Sequence, residues 1–138
     1  MTHTHDHGDE EHADHEHGAM QECIEDCLNC HAVCTMTLQY CLLEGGDHAD
    51  ANLVGALLDC AEMCQVSANF MLRGSPYHAL TCSACADLCR ACEEICRSIE
   101  GDEQLDHCAS VCADCAESCE RMAQMQVEGE EDEEEQAE

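Results

Sequence analysis

Cysteine is the residue whose number and spacing in this sequence point to chemistry, since 16 of the 138 residues are cysteines. On four separate stretches they recur three and four residues apart, the spacing that places side chains on one face of an α-helix. In an ordinary helical domain those positions hold leucine, isoleucine and valine, whose burial supplies most of the stability. The spacing therefore predicts four helices whose inward faces carry sulfur in place of hydrocarbon.

The recurring unit within these stretches is C-x-x-x-C. Residues four apart on a helix lie one above the other, with Cβ atoms roughly 5–6 Å apart. Two such sulfurs can hold one ion in a near-linear arrangement, which suits Cu(I), a soft ion that thiolate and thioether ligands select. The unit occurs at Cys23/Cys27, Cys30/Cys34, Cys60/Cys64, Cys85/Cys89, Cys92/Cys96, Cys108/Cys112 and Cys115/Cys119. The sequence thus favours a row of ions in which each thiolate bridges two neighbours.

Other uses of so many cysteines fit this spacing less well. Structural zinc takes four ligands, generally from C-x-x-C knuckles on turns, and the C-x-x-C pairs here are by-products of the three-four alternation, although zinc stays open as a competitor. Iron–sulfur clusters generally use local spacings in a loop that wraps each cluster. Disulfides between consecutive turns of one helix would be strained. The pattern therefore favours a thiol-bound soft metal.

Glycine, proline and capping residues divide the cysteine-bearing region into four helical segments. The predicted segments run from about Met20 to Leu43, from after Asp47 to Arg73, from Ser75-Pro76 to Ile99, and from after Asp102 through Met125, with breaks at Gly45-Gly46, Gly74 and Gly101. We expect Asp47, Ser75 and Asp102 to cap the helices that follow them. Connections of only a few residues imply antiparallel neighbours, so the predicted fold is all-α, an antiparallel up-down-up-down four-helix bundle with a cysteine-lined core.

The two ends of such a bundle differ in composition. One end, the methionine end, gathers Met20, Met71, His78, Met122 and Met125. The other, the leucine end, gathers Leu38, Leu42, Leu53, Leu57, Ile99 and Leu105. Hydrocarbon side chains form a plug, whereas thioethers bind soft metals. We infer from this contrast that metal enters at the methionine end.

The predicted domain organisation is a bundle over residues 19–127 between two disordered tails, 1–18 and 128–138. The first tail carries His3, His5, His7, His12, His15 and His17 among acidic residues and glycine, and the second is nearly all acidic. Segments of this composition cannot bury enough apolar surface to fold. Metal capture by the histidines and an incidental composition are both open, and the acidic tail is most simply a solvated charge run.

The net charge is −28, with four arginines and no lysine. This charge disfavours nucleic acid and anionic membranes as partners because both are negatively charged. The sequence does not begin with a basic start and an apolar run, and no segment has the apolar length of a membrane span. The expected compartment is the cytoplasm, where thiols are kept reduced and bind metal or react rather than form disulfides.

The stripes, the C-x-x-x-C repetition and the four-helix pattern over residues 20–125 resemble those of the cytosolic bacterial copper storage proteins, cysteine-rich bundles that keep Cu(I) along their core. The residues that carry the resemblance are Cys23, Cys27, Cys30, Cys34, Cys60, Cys64, Cys82, Cys85, Cys89, Cys92, Cys96, Cys108, Cys112, Cys115 and Cys119. The resemblance implies that these are Cu(I) ligands, many of them bridging, and that the protein is a homotetramer. Outward apolar residues such as Leu28, Leu72 and Leu88 are compatible with that assembly. Cys41, one heptad beyond Cys34, completes the candidate ligand set.

The function hypothesis is non-enzymatic storage and detoxification of multiple Cu(I) ions per chain, with a copper chaperone as the expected partner. One alternative is a zinc or general metal buffer of metallothionein-like role. Another is a thiol-based redox enzyme, which needs an activated cysteine in an electropositive niche, and the nearest candidates lie beside Arg90 and Arg97. A copper sensor acting through a protein partner is a third, although the sequence shows no DNA-binding segment.

Overall fold

Four long α-helices build the fold in this computed structural model, which describes the backbone of residues 7–137 and the side chains of residues 18–125. They are α1 (His7–Glu44), α2 (Ala51–Leu72), α3 (His78–Arg97) and α4 (Glu103–Ala137), with a short 3-10 helix, Gly46–Ala49, between α1 and α2. Each helix packs against its neighbours along the chain, and α1 also packs against α4, which closes the ring. The predicted antiparallel four-helix bundle is therefore confirmed.

The two outer helices are longer than the cysteine-bearing region requires. Helix α1 begins at His7 and α4 ends at Ala137, so helical backbone enters both segments for which the sequence predicts disorder. Neither extension contains proline, which would end a helix. Acidic residues in the first turns of α1 interact favourably with the helix dipole, whereas those at the end of α4 do not. The side chains of residues 1–17 and 126–138 lie outside the described residues, and the division into a bundle and two tails stays a prediction.

Two helix starts differ from those predicted. Helix α2 begins after Asp50, whose side chain accepts a hydrogen bond from the Asn52 amide, whereas Asp47 lies within the 3-10 helix. Helix α3 begins at His78 rather than at Pro76, because Ser75 forms a turn in which its Oγ accepts a hydrogen bond from the Tyr77 amide at 3.1 Å. In both places the expected cap lies in the connection, and the helix starts two or three residues later than predicted.

The predicted start of α4 and the glycines predicted to follow α2 and α3 agree with the structure, although α3 ends at Arg97 rather than at Ile99. Asp102 caps α4, since its Oδ1 accepts a hydrogen bond from the Leu105 amide at 2.9 Å. Gly74 and Gly101 follow α2 and α3 with φ values of +66° and +79°. Residues with a Cβ rarely adopt this left-handed conformation, so glycine ends these helices at low cost.

The leucine end is a hydrocarbon plug with one exception. Leu53, Leu57 and Leu105 are buried there, and Leu38 and Ile99 pack against the core. The side chain of Leu42, in contrast, is 51% exposed, so its predicted place in the plug is wrong. The reason is helical register, because Leu42 follows the buried Cys41 by one residue and so faces about 100° away from it.

Outside the core, the bundle presents a mainly charged surface with scattered apolar residues. Arg90 of α3 pairs with Glu93 and with Glu120 of α4, which ties these two helices together at the surface. Leu28 and Leu72 are exposed, and Leu88 is half-buried. Among the helices that the structure describes, none combines the length and the apolar character needed to cross a lipid bilayer.

Candidate metal centre

The four helices bring all sixteen cysteines to the bundle core as free thiols, and each of them is 0% exposed. They reach the core because cysteines spaced alternately by three and four residues stay on one helical face. Since the fold is antiparallel, the stripes on neighbouring helices run in opposite directions and meet thiol by thiol. The result is an interior of sulfur, as the spacing predicts.

Helices α1 and α4 form one ladder of facing thiols. Its rungs are Cys23–Cys119 at 3.7 Å, Cys27–Cys115 at 3.7 Å, Cys30–Cys112 at 3.8 Å and Cys34–Cys108 at 3.8 Å, all between Sγ atoms. At each step the residue number rises by three or four on α1 and falls by the same amount on α4. The two cysteine spacings are therefore matched across the helix pair, not merely present on each helix.

Helices α2 and α3 form a second, shorter ladder. Its rungs are Cys60–Cys89 at 3.6 Å and Cys64–Cys85 at 3.6 Å, again between Sγ atoms. The two ladders touch through Cys30–Cys60 at 3.8 Å, Cys60–Cys112 at 4.0 Å and Cys64–Cys115 at 3.9 Å. Sulfur–sulfur contacts thus connect all four helices into one network.

Contacts between sulfurs four residues apart on one helix also occur. They join Cys30 to Cys34, Cys85 to Cys89 and Cys92 to Cys96 at 3.8, 3.9 and 4.0 Å. The C-x-x-x-C pairs anticipated from the sequence therefore act alongside the cross-helix contacts. We refer to these sulfurs, together with Cys82 beside Cys119 and Cys23 and the pair Cys92/Cys96 beside Cys108, as the thiol column. The column comprises Cys23, Cys27, Cys30, Cys34, Cys60, Cys64, Cys82, Cys85, Cys89, Cys92, Cys96, Cys108, Cys112, Cys115 and Cys119.

The thiol column offers overlapping groups of four sulfurs that could share an ion. In each group the Sγ atoms lie within 4.8 Å of one another, and examples are Cys27/Cys85/Cys115/Cys119, Cys30/Cys34/Cys60/Cys112 and Cys34/Cys92/Cys108/Cys112. A metal–sulfur bond of about 2.3 Å spans sulfurs about 4 Å apart when three share an ion and about 4.6 Å apart when two lie opposite. Small side-chain movements would therefore admit ions held by two to four thiolates, and shared members would bridge neighbouring ions.

Burial and mutual hydrogen bonding set the acidity of these thiols. Hydrogen bonding to Cys115 and other neighbouring thiols, together with burial, raises the pKa of Cys64 far above its ordinary value. Hydrogen bonds from Cys115 and then Cys119 lower the pKa of Cys27 to about 6, because a thiolate that accepts hydrogen bonds is stabilised. The column thus contains thiols that ionise readily beside thiols that hold their protons until a metal replaces them.

Cys41 stands apart from the thiol column. Within residues 18–125, none of the sulfur–sulfur hydrogen bonds includes it, although its side chain is 0% exposed. Burial first, and then the charges of Asp102, Cys108 and Glu44, raise its pKa to about 11. Cys41 therefore lies in the leucine end as a buried, protonated thiol.

The methionine end supplies thioethers beside the last thiols. The Cys82 thiol donates a hydrogen bond to Met71 Sδ at 3.8 Å, and Met71 and Met122 are both buried. Met20 and Met125 pack against the core more loosely. His78 is half-buried, and its Nδ1 lies 3.0 Å from the Ser75 carbonyl oxygen. The antiparallel packing thus puts the sequence-predicted set at one end of the bundle, where Met71 accepts a hydrogen bond from a thiol.

Two buried hydroxyl residues on the cysteine stripes were missed by sequence reasoning. Ser67 is 0% exposed, and its Oγ lies 3.5 Å from Cys82 Sγ. Thr37 is also 0% exposed, and its Oγ1 accepts a hydrogen bond from Gln104 Nε2 at 2.9 Å. The available signal was their register, because Ser67 follows Cys64 by three residues and Thr37 follows Cys34 by three.

Histidines do not join the thiol column within residues 18–125. His31 is adjacent to Cys30, but its Nδ1 lies 2.8 Å from the Ala61 carbonyl oxygen, where it ties α1 to α2. His48 hydrogen-bonds Asp102 through Nε2 at 2.8 Å, and His107 is exposed. The side chains of the six histidines at the start of the chain lie outside the described residues.

Comparison with known proteins adds sequence and structural relatives to this geometry. Residues 16–124 match the sequence profile of the family described as copper storage protein. A cysteine-rich protein of Bacillus subtilis, YhjQ, described as uncharacterized, is 34% identical over 93 residues, which are 67% of this chain and 82% of that protein.

Solved structures also share the fold. The crystal structure of Nmul_A1745 from Nitrosospira multiformis is similar with a TM-score of 0.74 and 37% identity, over 78% of this chain and 97% of that one. The Cu(I)-bound copper storage protein BsCsp3 is similar with a TM-score of 0.72 and 31% identity, over 76% and 98% of the two chains. A Cu(I)-bound relative thus has the same four-helix arrangement.

Proposed function

Because this chain belongs to the copper storage protein family, we propose that it stores Cu(I) ions along the core of its four-helix bundle. The observation that carries this function is the thiol column, whose sulfurs connect all four helices and are closed to solvent. Thiolate ligands select Cu(I) among the biological metals because both are soft. A buried row of them holds many ions while keeping each away from solution, which serves storage and detoxification.

The proposed ligands are the cysteines of the thiol column. Each Cu(I) that binds displaces about one thiol proton, so the buried charge of the thiolates is balanced by that of the ions. This balance removes the large cost of burying unpaired charge in a protein core. The ladder contacts support ions shared between helices, since facing sulfurs already lie 3.6–3.8 Å apart.

An anaerobic titration of the fully reduced protein with Cu(I), against a competing Cu(I) chelator, tests this function. We expect tight binding of roughly one ion per core cysteine. Saturation after only a few equivalents would contradict storage. It would favour a small metal site or a thiol-based redox enzyme. A parallel titration with Zn(II) serves as the control for metal preference.

Zinc binding is the second candidate because groups of four thiols lie within 4.8 Å, as a tetrahedral zinc site requires. Zinc needs four thiolates for one ion, whereas Cu(I) accepts two or three and therefore uses the overlap between groups. The fifteen thiols of the column would thus hold far fewer zinc ions than copper ions. A zinc capacity equal to the copper capacity, or retention of zinc in excess Cu(I), would favour a general metal buffer.

We propose further that the protein has no catalytic activity. Support comes from the thiols, all sixteen of which are 0% exposed, and from Arg90 and Arg97, which pair at the surface with Glu93 instead of activating a cysteine. Single cysteine-to-serine variants along the column should each lower copper capacity by about one ion or more. A thiol-based enzyme would instead lose a peroxidase or disulfide reductase activity completely at one position.

Copper entry at the methionine end is also a proposal. Met71, which accepts a hydrogen bond from Cys82, would pass Cu(I) from solution to the first thiols of the column. The Met71→Leu variant keeps the volume but lacks the thioether, so we expect slower loading with unchanged capacity. Leu57→Met at the opposite, leucine end is the matched control and should leave the loading rate unchanged.

The remaining proposals concern the setting of the protein. Sixteen free thiols suit the cytoplasm, where glutathione keeps them reduced, and a copper chaperone would deliver the ion there. Self-association, as a homotetramer in the proposed form, is supported by exposed apolar side chains on the outward faces, among them Leu28, Leu58 and Leu72. Sedimentation equilibrium of the reduced protein measures the oligomeric state directly.

A further inference from the structure

The thiol stripe on α1 contains one residue that breaks it. Residues 23, 27, 30, 34, 37 and 41 follow each other at intervals of four, three, four, three and four. Five of these positions are cysteines, and the fifth position along is Thr37. Since the interval pattern keeps all six on one helical face, Thr37 occupies a place where a thiol would have continued the column.

Thr37 is fixed in the core by a contact with α4. Its side chain is 0% exposed, and its Oγ1 accepts a hydrogen bond from Gln104 Nε2 at 2.9 Å. A buried hydroxyl with a bonded partner is stable in this position without a metal. A neutral hydroxyl oxygen is also a poor ligand for Cu(I), which prefers thiolate and thioether sulfur.

Two of the other helices, α2 and α4, lose sulfur near the same level, whereas α3 keeps Cys96, which lies near Cys92 and Cys108. The α2 stripe passes from Cys60 to Leu57, and the α4 stripe passes from Cys108 to Leu105. Both leucines are 0% exposed. Beyond Thr37, therefore, α2 and α4 carry buried leucines at the positions that follow their last cysteines, whereas α1 carries Cys41.

An ion at Cys41 would lack a second sulfur ligand. Within the described residues Cys41 makes no sulfur–sulfur hydrogen bond, and the group of Cys34, Cys92, Cys108 and Cys112 near this end does not include it. A single buried thiolate with an under-coordinated ion, or without one, would bear the full cost of desolvation. Protonation avoids that cost.

We propose that Thr37, hydrogen-bonded to Gln104, ends the thiol column at the leucine end. Cys41, beyond it, is a structural thiol that binds no copper. This inference rests on the proposed function, since it assumes that the column stores Cu(I). It divides the sixteen cysteines into fifteen ligands and one packing residue, and it makes Thr37 the residue that limits capacity at this end.

Copper capacity of two matched variants tests the role of Cys41. Cys41→Ser and Cys34→Ser each replace one buried thiol on α1, one heptad apart, in full-length reduced protein. We expect Cys41→Ser to bind as many Cu(I) ions as the wild type, and Cys34→Ser to lose about one or more. A loss in Cys41→Ser as large as that in Cys34→Ser would overturn the proposal.

A measurement on the loaded wild type covers the case in which Cys41→Ser fails to fold. After saturation with Cu(I), the infrared S–H stretching band should retain the intensity of about one thiol, because every other proton has been displaced. Complete loss of the band would show that Cys41 is also a ligand. Circular dichroism of each apo variant establishes whether it is folded.

The role of Thr37 is tested by extending the column. Thr37→Cys places a thiol between Cys34 and Cys41, and we expect about one or two more Cu(I) ions per chain than in the wild type. Thr37→Val, which removes the hydroxyl without adding sulfur, is the control and should keep the wild-type capacity. An unchanged copper capacity in folded Thr37→Cys would contradict the proposal that Thr37 ends the column. If the wild type itself bound few Cu(I) ions, the proposed function would fail instead, so the two failures are distinguishable.

Discussion

At the scale of single residues, Asp102 organises the leucine end. One carboxylate oxygen caps α4, and the other accepts hydrogen bonds from Tyr40 at 2.7 Å and His48 at 2.8 Å. Burial opposes ionisation of Asp102, but the hydrogen bond from Tyr40 and those from the Leu105 amide and His48 outweigh it and lower its pKa to about 2. The folded state therefore prefers the ionised carboxylate, which joins α1, the 3-10 helix and α4.

This lowered pKa predicts a pH-dependent loss on substitution. An acid whose pKa is lower in the folded state stabilises the fold above its unfolded pKa, near 3.8, and loses this effect as pH falls towards 2. We expect Asp102→Asn to lower the free energy of unfolding of the apo protein by about 1–2 kcal/mol at neutral pH. The difference from wild type should shrink between about pH 4 and pH 2. Urea unfolding at a series of pH values measures it.

Asp47→Asn is the control for that measurement, because it removes a negative charge from an exposed position at the same end. It should change the unfolding free energy by a few tenths of a kcal/mol at most, as is usual for surface substitutions. A difference between Asp102→Asn and wild type that stayed constant from pH 7 to pH 2 would show that the ionised form is not what stabilises this end.

At the scale of helices, replacing Gly55 within α2 and Gly74 after its end by alanine should have opposite effects on stability. Gly74 has a φ of +66°. Gly55 lies inside α2, where a Cβ would have open space around it, with no side chain or neighbouring helix within 4 Å. Gly74→Ala forces a strained backbone and should destabilise the apo protein by about 1 kcal/mol. Gly55→Ala should stabilise it by about 0.5–1 kcal/mol, because alanine has the higher helix propensity. Thermal or urea unfolding of the pair checks both signs, and equal effects would contradict the assigned conformations.

The helices also show what the sequence could predict and what required tertiary structure. The cysteine spacing and Asp102 identified the buried faces and the start of α4, because both depend on contacts within one helix. The start of α2 depended on a distant contact. His48 bonds Asp102, which keeps residues 46–49 in the connection and leaves the cap to Asp50. Local signals alone do not choose between two nearby aspartates.

The candidate site divides in the same way. The stripe positions of the cysteines were readable from spacing, but their pairing across α1 and α4 requires the register of two helices relative to each other. The roles of Thr37 and Ser67 were not apparent because neither residue type is a typical soft-metal ligand. Only their burial beside thiols or beside Gln104 reveals them.

At the scale of the whole molecule, copper is expected to stabilise the fold. The interior contains thiols where most bundles contain larger hydrocarbon side chains, so the apo protein buries less apolar surface per helix. A ligand that binds only the native state raises stability with its concentration relative to its dissociation constant. We expect a higher thermal midpoint for the Cu(I)-loaded protein than for the reduced apo protein, by scanning calorimetry under anaerobic conditions. Equal midpoints would indicate that metal binding and folding are not coupled.

The whole molecule also keeps its charge when it loads. Its net charge is −28 when every thiol is protonated, and each Cu(I) that replaces one proton leaves that value unchanged. Binding at a thiol that is already ionised, such as Cys27, makes the charge less negative by one. We therefore expect apo and loaded protein to elute from an anion exchanger at nearly the same salt concentration. Added salt should raise both thermal midpoints by similar amounts, because it screens the same repulsion between surface carboxylates. Much earlier elution of the loaded protein would mean that many ions had entered without displacing protons. The proposal that Cu(I) and thiolate charges balance in the core would then be wrong.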